Sequence, residues 1–78
     1  MNTTSFNTLA ILENNRQQLT DLSERLKTWL QTNIMHEKAN DVLDQVVACE
    51  KTLEGNGLQE IQQTIIKAAK LANALNLQ

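Results

Sequence analysis

The sequence predicts an all-α fold, a small three-helix up-down-up bundle, on three observations. Proline is absent, and the only two glycines sit together in Gly55-Asn56-Gly57. Leu, Ala, Gln, Lys and Glu are frequent, and these side chains lose little rotamer freedom in a helix. Apolar residues recur at alternating spacings of three and four in three separate segments, the period of a helix with one buried stripe. A helical hairpin that completes its core by dimerising satisfies the same pattern and is the alternative architecture.

The first helix is carried by Leu19, Leu22, Leu26, Trp29 and Leu30. Its spacing continues backward to Leu12 and Leu9, across the polar run ENNRQQ at 13–18, where Asn15 falls on the stripe in place of a leucine. Either one helix runs unbroken over about 5–31, or residues 1–12 form a separate apolar arm. At ~1.5 Å per residue the unbroken helix is about 40 Å long and the later ones about 30 Å, so the first overhangs them. The overhang carries Phe6, Leu9, Ile11 and Leu12.

The second helix is read over 34–54 from Met35, Ala39, Val42, Val46, Cys49 and Leu53, with Leu43 and Val47 on its flank. This phase is preferred to a shorter helix capped by Asn40. Asn33, in the corner before it, is expected either to end the first helix in a left-handed conformation or to cap the second. The third helix, 58–77, follows from Leu58, Ile61, Ile65, Ala68, Ala72 and Leu75, its stripe widened by Ile66, Ala69 and Leu71.

Gly55-Asn56-Gly57 is not a phosphate cradle. A P-loop needs a lysine followed by Ser or Thr after a strand, and the dinucleotide fingerprint fails at Glu60. As helix punctuation the stretch predicts Gly55 in the left-handed position that ends one helix. Asn56 is expected to cap the next, with Gln59 returning the bond.

Seventy-eight residues make a single domain, 1–78. At this size one hydrophobic core rarely supplies more than about 3–5 kcal/mol. One cysteine excludes an intrachain disulfide, and one histidine argues against a zinc cage. No metal or cofactor is therefore expected. His36-Glu37-Lys38-Ala39-Asn40 begins like the zinc-protease helix, but Asn40 stands where the second histidine belongs. Cys49 lies on the apolar stripe, where burial raises a thiol's pKa and makes it inert. Without a nucleophile, a basic partner or room for a pocket, the chain reads as a non-enzyme.

No apolar run reaches the ~18 residues of a membrane span, and the first residues have neither the basic start nor the apolar length of a signal peptide. Cytoplasmic location is the default expectation, with export by a route lacking a readable signal left open. Asn2-Thr3-Thr4 matches the N-glycosylation triplet but carries no weight without such a signal.

A net charge of −2 argues against nucleic acid as the partner. The distribution is more informative. Residues 1–33 balance to zero, 34–54 carry five acids against two lysines, and 55–78 sum to +1. In a helix over 34–54, Glu37, Asp41 and Asp44 fall within about 60° of one another and form an acidic stripe.

These features favour a non-catalytic helical module that docks on a larger protein, as inhibitors, small chaperones and adaptor subunits do. Its contact residues would be Phe6, Leu9, Ile11 and Leu12 on the overhang and Glu37, Asp41 and Asp44 on the stripe. Two other readings are a helix-turn-helix regulator, for which the third helix supplies only Lys67 and Lys70 to meet phosphates, and a homo-oligomeric coiled coil through Leu12, Leu19, Leu22, Leu26 and Trp29.

Overall fold

The computed structural model describes residues 3–55 and 57–77, with side chains from Asn7 onward. Three helices, α1 (Thr3–Thr32), α2 (Ala39–Leu53) and α3 (Leu58–Ala74), each pack on the other two. They form the three-helix bundle, and no strand occurs among the described residues.

The stripes meet as their spacing requires. Leu19 and Leu26 of α1, Val42, Val46 and Cys49 of α2, and Ile61, Ala68 and Ala72 of α3 make one buried cluster. Leu19, Leu26, Val42, Cys49 and Ile61 are fully enclosed. Burying a large aliphatic side chain contributes about 1.5–3 kcal/mol before the entropy of ordering it. Alanines at 68 and 72 let α3 approach closely. Ser23 is buried inside this core at 3% exposure, and its Oγ has no hydrogen-bond partner among the described residues. An unpaired buried hydroxyl costs about 1–3 kcal/mol of desolvation, and serine is also the poorer helix former. Ser23→Ala is therefore expected to stabilise the bundle by about 1 kcal/mol in urea titrations. A loss of that size would mean the hydroxyl has a partner in solution.

α1 is unbroken, and its polar run lies just inside the bundle end, after Leu12, which packs on the core. Asn15 Nδ2 donates to the Ile11 carbonyl at 2.6 Å, and Thr20 Oγ1 to the Arg16 carbonyl at 2.9 Å. Arg16 reaches across to α2, where Nη2 donates to the Leu53 carbonyl at 2.7 Å. Leu53 is the last residue of α2, and its carbonyl is one of those a helix end leaves without an internal partner. Lower down, Lys27 pairs with Glu50 at 2.6 Å. Both groups are half-exposed, so this pair orients more than it stabilises.

The connections depart from the sequence reading. α2 begins at Ala39 rather than at 34. After Thr32, two successive i→i+3 bonds, His36 N–H to the Asn33 carbonyl (2.9 Å) and Ala39 N–H to the His36 carbonyl (3.0 Å), turn the chain. Packed helix axes lie about 8–10 Å apart, and a chain restarting its helix at 34 has one residue to cross that gap at ~3.5 Å per residue. Met35, placed on the stripe by periodicity, is in consequence 93% exposed. Asn33 is not left-handed; its Nδ2 donates to the Trp29 carbonyl at 2.7 Å, sealing the end of α1.

Gly55 does not adopt the left-handed conformation either: α2 closes through Glu54, whose N–H bonds the Lys51 carbonyl at 3.2 Å. The cap of α3 is Gly57 in extended conformation, and a Cβ there would meet Glu60 Oε1 at 3.3 Å. Asn56, the expected cap, lies outside the described residues. The left-handed residue occurs at the far end of α3, where Asn76 has φ 58°. Leu77 N–H bonds the Ala72 carbonyl and Asn76 N–H the Asn73 carbonyl, both at 3.0 Å, a Schellman closure that ends the helix at Ala74 and turns Leu77 back onto the core.

Candidate protein-binding surfaces

The overhang is the first surface. α2 and α3 pack beside α1 from about Leu12 onward: Leu12 is half-buried against the core, while Leu9 is 54% and Ile11 47% exposed. The side chain of Phe6 lies outside those described. At ~1.5 Å per residue, the turns before Leu12 project more than 10 Å past the bundle. Leu9 and Ile11 sit about 200° apart around the helix, on opposite flanks of the stripe. Leu9 stands five full turns before Lys27, on the line that contacts α2. Ile11 stands five turns before Trp29, on the line that faces Leu77. The overhang therefore continues two lines of α1, one leading to the Lys27–Glu50 pair with α2 and the other to the cleft of Trp29 and Leu77.

The acidic residues do not form the expected stripe. Glu37 lies in the turn before α2, so only Asp41 and Asp44 share a helix with each other. Asp41 occupies the first turn of α2, where a carboxylate is favoured by the partial positive charge of the helix start. All three are exposed, at the opposite end of the bundle from Leu9 and Ile11. More than 20 residues of α1 separate the two ends, about 30 Å. The two groups of candidate residues are thus separate surfaces and cannot serve one small contact.

At this turn end the structure exposes a patch that periodicity did not flag. Ile34 is 72% exposed, Leu43 49% and Val47 47%. Leu43 and Val47, four apart on α2, look in sequence like the flank of a buried stripe. They are solvent-facing because α3 packs on the other flank, through the Thr52–Thr64 hydroxyl contact at 3.1 Å. Between α1 and α2, Lys27, Leu30, Gln31, Ile34, Leu43 and Val46 line an open groove of about 290 Å³. A second open cleft, about 460 Å³, runs beside Trp29 and Leu77, with the Asp21–Arg25 ion pair (3.1 Å) in its wall.

The groups that could carry chemistry have structural surroundings. Cys49 is fully buried, and burial pushes its thiol up in pKa, with nearby Glu50 adding to the effect against a lowering hydrogen bond from Gln45. The reactive thiolate is thereby disfavoured. His36 is exposed; its Nδ1 accepts from the Lys38 N–H at 3.0 Å, and its ring meets Trp29 edge-on at 5.1 Å. Both contacts hold the turn. Among the described residues no three His, Cys, Asp or Glu side chains come together as a metal site, and no helix is long and apolar enough to cross a membrane. Leu19 and Leu26, which a coiled coil between chains would need on its surface, are enclosed within this one.

Compared with known proteins, the chain matches no protein-family model, no curated protein and no solved structure.

Proposed function

We propose that the chain is a non-catalytic helical module that acts by docking on a larger protein. One observation carries this reading: α1 continues past α2 and α3 with Leu9 and Ile11 exposed on turns that no other described element covers. A helix held rigid by a bundle at one end and apolar at the other is pre-organised for a partner's groove, which lowers the ordering cost of binding. Leu9 and Ile11 stand about 200° apart, so the groove that receives this helix embraces it from both flanks.

The test is capture from a lysate of the native host by the tagged full chain, with and without nuclease, read by mass spectrometry. A stoichiometric protein retained after nuclease is expected. Leu9→Asp with Ile11→Asp should keep the helical signal and thermal midpoint while losing that protein. Unfolding of this variant would show the overhang to be core. Capture of nucleic acid alone, lost on nuclease treatment, would replace this reading with a nucleic-acid-binding one.

A further inference from the structure

Two methionines and one cysteine carry the sulfur of this chain. Met1 lies outside the described residues. Cys49 is fully enclosed in the core, where burial disfavours its reactive thiolate. Met35 is the opposite case. Spacing places it on the stripe of α2, where packing would shield its thioether. Because α2 begins at Ala39, Met35 falls in the turn instead and is 93% exposed, the most open of the large apolar residues among those described. Its neighbour Ile34 is 72% exposed. An oxidant reaches such a sulfur without any opening of the fold.

The turn is closed by bonds that do not involve the thioether. His36 N–H donates to the Asn33 carbonyl at 2.9 Å, and Ala39 N–H to the His36 carbonyl at 3.0 Å. Lys38 N–H donates to His36 Nδ1 at 3.0 Å, and the His36 ring meets Trp29 edge-on at 5.1 Å. An oxygen added at the Met35 sulfur breaks none of these contacts, and the more polar group it creates stays in water. At a core position the same change would disrupt the packing.

We infer that Met35 is an oxidation site of the folded protein, converted by hydrogen peroxide to the sulfoxide while Cys49 is spared. The sulfur lone pair attacks one peroxide oxygen, and the O–O bond breaks. Sulfur gives up two electrons and keeps that oxygen, while the other leaves as hydroxide and takes up the remaining proton to become water. The product sets a polar acceptor beside Ile34, so the apolar tip of the turn becomes polar with the bundle intact. Methionine sulfoxide reductases reverse the change. The site is independent of the overhang, about 30 Å away.

The experiment exposes the full chain to dilute hydrogen peroxide in native buffer and, in parallel, in urea strong enough to unfold it. A proteolytic digest read by mass spectrometry follows one added oxygen in the peptide that carries Met35 and any oxidation at Cys49. Met35 is expected to gain its oxygen at the same rate in both buffers, within about twofold. Cys49 should react about a hundredfold or more slowly in the native chain, because its exposure requires the bundle to open. Circular dichroism and the thermal midpoint should not change once Met35 alone is oxidised, and a methionine sulfoxide reductase should restore the original mass. Protection of Met35 by about tenfold or more in native buffer would show the turn covered in solution and would overturn the inference. So would native-state oxidation of Cys49 as fast as that of Met35, or loss of the helical signal after the single oxidation.

Discussion

Leu26→Ala is expected to leave the chain largely unfolded at room temperature. Leu26 is fully enclosed in the cluster formed by all three helices, so truncation loses its transfer free energy and leaves a cavity. Such substitutions cost about 2–5 kcal/mol, and a core of this size supplies about 3–5 kcal/mol in all. The measurement is a urea titration followed by circular dichroism. Leu9→Ala removes the same atoms from the overhang, where Leu9 is 54% exposed. It should change stability by no more than about 0.5 kcal/mol. Equal losses for the two variants would mean that the overhang is packed in solution and would count against the docking reading.

The next largest effect is expected from Arg16→Met, which keeps most of the aliphatic stem and removes the guanidinium. Arg16 joins the two helices by donating to the terminal carbonyl of α2 at 2.7 Å, partly shielded from water. A charged donor at a helix C-terminus satisfies an orphan acceptor and opposes the partial negative charge there. Its removal should cost about 1–2 kcal/mol. Hydrogen exchange should show the loss concentrated in the last turn of α2. Arg16→Lys, which keeps the charge without the planar fork, should fall between. A methionine variant as stable as the parent would reduce this bond to a surface contact.

Which apolar residues reach the surface turns on details that periodicity does not resolve. The overhang was legible because leucines at 9 and 12 continue the stripe past the point where the later helices can reach. The groove was not, because Leu43 and Val47 carry the same spacing whether α3 covers them or water does. Their exposure follows from α3 packing on the Thr52 side of α2. The acidic stripe failed for a related reason. Glu37 shares a face with Asp41 only if the helix already runs through it, and the chain there is still turning.

By itself the sequence determined the fold class, the number of helices and nearly all of the core. Those properties depend on local periodicity and on the absence of residues that break helices, and both can be read along the chain. It also placed Cys49 among apolar neighbours and Asn15 at a break in the stripe. The tertiary structure alone decided where the helices end and which flank of each faces solvent. Helix ends are set by competition among near-equal local bonds, as when Asn76 rather than Gly55 takes the left-handed position. That competition is settled by whether the following residue, here Leu77, finds a core to pack against. Likewise Arg16 looks like one more polar residue in a polar run until α2 brings its terminal carbonyl within reach.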